Sequence, residues 1–349
     1  MKTVTVPFFI SHQGCPHSCV FCDQRTISGA NGTLPTGTEI SERIDLWRST
    51  AAGRPLEVAF FGGTFTALPE QTQSELLAPL QPLLQNGTLE SVRISTRPDY
   101  INADHVAWLS ERGVRTIELG VQSLDDAVLS ASGRGHAAAA SLSAIRCIKE
   151  QGVRVGAQLM PGLPGDTPAL SLATLEQVIA ANVDFMRIYP VVVLRGTELA
   201  GRYTAGEYTP LSLEKGVRLS ALLLQRAMQA DISVIRIGLQ ADHGLTVDSV
   251  LAGCWHPALG QLVRSRLYAD LINRVVSPGE RVTVYCHPAR LSDLVGVKRS
   301  NLHDQSSRGV QMQVVPDAVL RKEEIKVEIE SISTVYSIIK DNNYSIHEV

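Results

Sequence analysis

The chain of 349 residues has no excess of positive charge, no long apolar run and no repeated or low-complexity block. A net charge of −3 and an isoelectric point near 6.3 remove the overall basic field that drives non-specific nucleic-acid binding. DNA is therefore not an expected partner, and RNA would need a local patch. Nowhere do uninterrupted apolar residues approach the roughly 18 of a membrane span, and the apolar run near Met1 is too short for a signal peptide. The expectation is a cytoplasmic protein with no membrane partner. Cysteine is scarce at six residues, and three of these crowd into positions 15, 19 and 22. In a reducing compartment such crowding points to metal or redox chemistry rather than to a disulfide framework.

What is present is alternation. Short β-rich runs at 4–10, 56–61, 91–96, 115–121, 153–159, 184–193 and 232–237 are separated by amphipathic stretches at 40–49, 71–84, 103–112, 137–151, 169–181 and 213–230. That pattern predicts six βα units and a seventh strand in one parallel sheet. Several of the runs are almost continuously apolar, as strands covered on both faces must be. The fold class expected is α/β, a partial parallel (β/α)6 TIM-like barrel over residues 1–237. Beyond it the alternation becomes irregular, with a helix at 260–275 and strands at 281–286, 310–315 and 325–329, which predicts a smaller C-terminal α+β domain over 238–349. The segment Lys340-Asp-Asn-Asn-Tyr344 reads as a loose tail.

Curled parallel sheets gather their ligand loops at the C-terminal ends of the strands. There lie Gly62-Gly63-Thr64, Arg97-Pro98-Asp99, Gln122-Ser123 and Pro161-Gly162-Leu163-Pro164-Gly165. The cysteines follow the first strand as Gly14-Cys15-Pro16-His17-Ser18-Cys19-Val20-Phe21-Cys22, spaced C-x3-C-x2-C. Three thiolates on one loop can hold three irons of a cubane and leave the fourth iron open; a closed zinc knuckle using His12 or His17 is the other reading.

The cysteine motif resembles that of the radical S-adenosylmethionine (SAM) superfamily. A closer resemblance, to the radical SAM half of the Elongator catalytic subunit, is carried by Phe60-Phe-Gly-Gly-Thr-Phe-Thr66, Ile94-Ser-Thr-Arg-Pro-Asp-Tyr100, Ile117-Glu-Leu-Gly-Val-Gln-Ser123, Gly133-Arg-Gly-His136, Gly156-Ala-Gln-Leu-Met-Pro-Gly-Leu-Pro164 and Ile188-Tyr-Pro-Val-Val-Val-Leu-Arg-Gly-Thr197. These segments fall between about residues 12 and 240, in order. The resemblance implies a barrel of the radical SAM type, a [4Fe-4S] cluster on Cys15, Cys19 and Cys22, and reductive cleavage of SAM to a 5′-deoxyadenosyl radical. It implies an electron donor such as flavodoxin or ferredoxin, and makes tRNA the leading substrate. The alternatives are a small molecule or cofactor precursor, or a non-catalytic zinc-binding role.

Carried over position by position, Gly62, Gly63 and Thr64 would meet the SAM amino group, where side-chain-free backbone allows close approach. Arg134 would hold its carboxylate with a guanidinium fork. Ser95, Glu118, Gln122 and Gln158 would face the ribose and methionyl groups. Glu118 stands inside an apolar strand, so its carboxylate needs a partner, either SAM or a structural base.

Two departures matter. The residues after the barrel lack the Gln/Arg-x-x-Gly-x-Gly/Ala loop for coenzyme A found in the Elongator acetyltransferase domain. Gln24 stands where the weaker resemblance, to oxygen-independent coproporphyrinogen oxidase, would require another cysteine.

Four weaker features remain. Cys254-Trp-His256 and Cys286-His287 admit a Cys2His2 site but read first as packing residues, as does Cys147. Arg281, Arg290, Lys298, Arg299 and Arg308 around Tyr285 form a solvated face before they form an RNA groove. His243, His256 and Tyr189 are substrate-side candidates only by position.

Overall fold

The computed structural model describes residues 3–29, 32–239, 245–246, 248–342 and 344–346. Its first strands are β1 (Val4–Phe9), β2 (Leu56–Phe61), β3 (Leu89–Thr96), β4 (Val114–Gln122), β5 (Arg154–Leu159), β6 (Phe185–Ile188), β7 (Val192–Leu194) and β8 (Ser233–Ile237). All but β7 join one sheet in the order β1-β2-β3-β4-β5-β6-β8, each neighbour parallel. Spatial order follows chain order because each return passes through helix on the outside of the sheet. The sheet is the expected partial α/β barrel, curled and open between β8 and β1.

Both faces of β2 are buried along nearly its whole length, the reason its sequence is Leu-Glu-Val-Ala-Phe-Phe rather than an alternation. Outward residues such as Val58 and Ile94 pack under the helices Gly37–Thr50 and Ala103–Glu111 in one large core. The first of these helices starts on a reciprocal cap: Glu39 N–H donates to the Thr36 hydroxyl, and the Glu39 carboxylate accepts from Thr36 N–H.

Two proline effects change the expected elements. The run at 184–193 is two strands, since Pro190 has no N–H for the sheet ladder and the chain turns out after Ile188. The helix at 71–84 is broken into Glu70–Leu77, a 3-10 turn at Ala78–Leu80 and Gln81–Gln85, at the prolines 79 and 82. β7 pairs instead with β9 (Val250–Gly253) in an antiparallel ribbon.

The remaining strands are β10 (Arg281–Cys286), β11 (Gln311–Pro316), β12 (Glu324–Ile329) and β13 (Ile332–Ser337). They form a second sheet in the order β11-β10-β12-β13, parallel only between β10 and β11. Helix Leu259–Val275 covers one face of it and buries Val263, Leu267 and Leu271 there. Helix Leu213–Gln229 serves both halves: Leu219 and Leu223 belong to the barrel core, Ala221 and Leu224 to the second core.

The C-terminal segment is anchored, not loose. Asn342 is 1% exposed and donates to the carbonyls of Leu267 and Ile338 at 2.8 and 3.1 Å, while the Tyr344 hydroxyl bonds Asp270.

Candidate active site

The cysteine loop leaves the C-terminal end of β1 and is fastened to the turn after β2. Thr64 N–H donates to Gln13 O at 2.7 Å. The Gln24 amide oxygen accepts from both His12 N–H and Gly63 N–H at 2.7 Å, so one side chain ties the two loops together. Gln24 opens the short helix Gln24–Ser28, whose N-cap is Asp23, accepting from Thr26 N–H at 3.1 Å. The glycine turn has little freedom to vary. Gly63 has φ +60°, and a Cβ there would sit 2.4 Å from Gln13 O and 2.5 Å from Ile10 O.

These loops close one end of a cavity of about 600 Å³ inside the barrel. Its wall brings together Cys15, Cys19, Cys22, Gly62, Gly63, Ser95, Glu118, Gln122, Arg134 and Gln158, drawn from loops and strands across the sheet. Among the residues expected to hold the cluster or SAM, Thr64 alone is absent from this wall. It is fully buried, and its hydroxyl lies 3.4 Å from Cys15 Sγ, where it positions the thiol.

Arg134 reaches back over the loop, with Nη1 3.4 Å from Cys19 Sγ and Nη2 donating to Gly120 O at 2.5 Å. Its Nε is buried without a partner. Arg97 is similar: its bidentate pair with Asp99 at 3.0 and 2.8 Å leaves Nη1 buried and unpartnered at the cavity. Although burial works against it, the Arg97 hydrogen bonds and charge hold the Asp99 carboxyl below its ordinary range. Two orphaned guanidinium N–H groups beside a cavity are unmet demand for an anionic ligand.

Glu118 has the structural base that the sequence left open as one of two partners. Its carboxylate accepts from Arg93 Nη1 at 2.7 Å on β3 and from Arg187 Nη2 at 2.9 Å on β6. Arg93 also pairs with Glu57 of β2 at 2.9 Å, so a ladder of alternating charge crosses the inner face of the sheet. The desolvation argument for a partner holds, and two arginines supply one while Glu118 still lines the cavity. Arg93, Arg187 and Arg236 on the same wall were legible only as arginines within strand-like runs, the inward phase of which the sequence left open. Tyr189 lines the cavity and accepts from Arg187 Nη1 at 3.1 Å.

Burial pushes the Cys22 thiol up to about 12, aided by Cys19 and Cys15, and also raises Cys15. Thiolates in this setting need adjacent positive charge from a metal. Among the described residues no group of three or more His, Cys, Asp or Glu converges on a single ion. His12 Nε2 already accepts Gln24 N–H at 2.9 Å. A cubane spreads its sulfur ligands over separate irons, and three thiols on one cavity wall fit that donor set.

The weaker sites resolve into structure. Cys254 and Cys286 are buried in the second core, and His256 and His287 each accept a local backbone N–H through Nδ1. Arg290 pairs with Asp293, and Arg308 is spent on Asn273 and the Val276 carbonyl. His243 lies outside the described residues.

The family model described as Radical SAM superfamily matches residues 9–177, and the Radical_SAM C-terminal domain matches 183–269. The chain belongs to the radical SAM superfamily. It is therefore one of a family of enzymes, and its relatives include Elongator proteins. It is 27% identical over 247 residues to the tRNA uridine(34) acetyltransferase of Methanocaldococcus infernus, covering 59% of this chain and 46% of that one. It is 28% identical over 225 residues to human Elongator complex protein 3, covering 56% and 41%. The chain thus spans less than half the length of these curated relatives. A solved structure of the archaeal M. infernus Elp3 with an N-terminal deletion shares the fold, with a TM-score of 0.61 at 23% identity, covering 76% of this chain and 62% of that one. Among the described residues no helix is long and apolar enough to cross a membrane.

Proposed function

We propose that this radical SAM protein binds a [4Fe-4S] cluster through Cys15, Cys19 and Cys22, cleaves SAM reductively, and acts on tRNA. The observation that carries the reading is the meeting of three cysteine thiols and the orphaned Arg134 Nε on one cavity wall. When bound and reduced by a flavodoxin- or ferredoxin-like donor, the cluster supplies the electron that splits a carbon–sulfur bond of SAM into a 5′-deoxyadenosyl radical.

The residues of the chain bind, orient and exclude. Arg134 offers its free N–H to the SAM carboxylate. The amino group is a donor and needs acceptors, so the carbonyls of Gly62 and Gly63 are assigned to it, the Gly63 N–H being held by Gln24. Gln122 and Gln158, 3.2 Å apart side chain to side chain, and Ser95 present polar groups for the ribose and methionyl parts. Thr64 holds the Cys15 thiol. Enclosure by the barrel keeps water from a reactive carbon radical.

The tRNA assignment is supported by the relatives' names, and the coarser radical SAM reading does not depend on it. Residues 1–237 would carry the chemistry and 238–349 would contribute to substrate selection. Anaerobic reconstitution with iron, sulfide, SAM and dithionite tests the proposal by release of 5′-deoxyadenosine. The native chain is expected to release it and Cys19→Ala to fall to background; equal release would end the reading. Output that rises with unmodified tRNA supports the substrate, and indifference to RNA points to a small molecule.

A further inference from the structure

The inner face of the barrel carries more positive charge than it neutralises. Along the ladder Glu57, Arg93, Glu118 and Arg187 balance. One strand further, Arg236 on β8 breaks the balance. Its Cα is the register partner of Arg187, so the two side chains leave the same face of adjacent strands, and both line the cavity. Arg187 is held by Glu118 and Tyr189, whereas Arg236 makes no ion pair or hydrogen bond among the described residues. Like charges directly opposite one another weaken a sheet unless an anion joins them.

An aromatic wall of two mutually tilted rings stands beside this pair. The rings of Phe9 and Phe61, both at the cavity, are 6.1 Å apart, and the Arg187 guanidinium lies 5.3 Å from the Phe61 ring centroid. Arg187 and Arg236 line the cavity one residue before the C-terminal ends of their strands. A cavity of about 600 Å³ is of a size that encloses a small molecule whole.

We propose that Arg236, together with Arg187, anchors the anionic group of a second, small-molecule substrate, an organic carboxylate or phosphate whose flat apolar body lies against Phe9 and Phe61. This anchor is distinct from Arg134, which faces Cys19 and Gly120. The inference rests on the radical SAM reading for its use in catalysis, while the binding itself can be measured independently.

The test is calorimetric titration of the reconstituted full chain with benzoate, phenyl phosphate and uncharged benzamide. At least one anion should bind roughly tenfold or more tightly than benzamide, as a charge-assisted hydrogen bond outweighs a neutral one. Arg236→Gln should abolish that advantage, and Arg236→Lys should keep part of it. Saturating SAM should not displace the probe. Preference for benzoate or for phenyl phosphate separates a carboxylate from a phosphate ligand.

Equal binding of charged and uncharged probes overturns the proposal, as does displacement by SAM or an advantage that survives Arg236→Gln. Displacement by tRNA alone also overturns it, by assigning the arginine to RNA phosphate. Should the variant fail to fold by circular dichroism, the native-chain comparison and the SAM competition decide. Release of 5′-deoxyadenosine is followed in the same samples. Its presence without anion binding sinks this inference alone, and its absence with anion binding intact sinks the proposed function alone.

Discussion

Glu118 shows how the need for a partner can be read from sequence without the partner being identified. A carboxylate in Ile-Glu-Leu-Gly-Val had to be compensated. The compensating residues, Arg93 and Arg187, lie 25 and 69 positions away and meet it only when β3, β4, β5 and β6 are assembled into one curled sheet. Because removing one member of a buried ionic set strands the others, Glu118→Gln should destabilise the fold by up to about 3–5 kcal/mol. SAM affinity in the folded fraction should change less than roughly tenfold, or 1.4 kcal/mol. Thermal unfolding and SAM titration on one sample check both, and a large affinity loss with unchanged stability would return Glu118 to the cofactor. Arg134 differs in that its place on the cavity wall is set by a local loop of four consecutive residues, 133–136. Arg134→Gln should weaken SAM binding by roughly tenfold to a hundredfold, the worth of one or two charged hydrogen bonds, with the absorbance of the iron–sulfur cluster retained.

At the scale of elements, sequence patterning served where a strand is buried on both faces or a helix is bounded by its own caps. β2 and β10 have the expected ends. The β12–β13 hairpin was illegible, because its turn places Glu330 and Ser331 at φ +48° and +71° without the Gly or Asn that marks such turns. The short helices Asp126–Ala131 and Glu198–Thr204 were missed for another reason: they are too brief to show a period. The turn after β2 was legible as glycine but not as a joint. It is the element through which Gln24 and Gln13 fix the cysteine loop to the sheet. Gly63→Ala puts a methyl group against two backbone carbonyls and costs about 1–2 kcal/mol in left-handed strain alone. The expected result is a lower melting temperature and substoichiometric iron after reconstitution, read by iron analysis. Full iron loading at unchanged stability would show that the two loops are not coupled in this way.

For the whole molecule, two cores are joined through the helix Leu213–Gln229, and the same helix receives the end of the chain. Gln225 donates to the carbonyls of Ile339 and Asn342, so the segment read as a tail locks the second core onto the barrel. Polar residues such as Asp, Asn and Tyr look like a tail in sequence because their partners are backbone carbonyls, which no sequence displays. Shared cores predict one cooperative transition, and its pH dependence follows from imidazoles distributed over the barrel. Burial lowers His12, His105 and His136 from the ordinary value of 6.5. Below 6.5 the unfolded chain takes up protons that the folded chain refuses, so the unfolded state binds more protons and stability declines as pH falls. The loss begins near pH 6.5 and runs down through the lowered folded-state values, where protonation of His12 would also break the bond from Gln24 N–H. The urea midpoint, followed by circular dichroism, should therefore be lower at pH 5.5 than at pH 7.5 in one unbroken transition. A midpoint that holds steady or rises over that interval would mean that these three rings are charged in the folded protein.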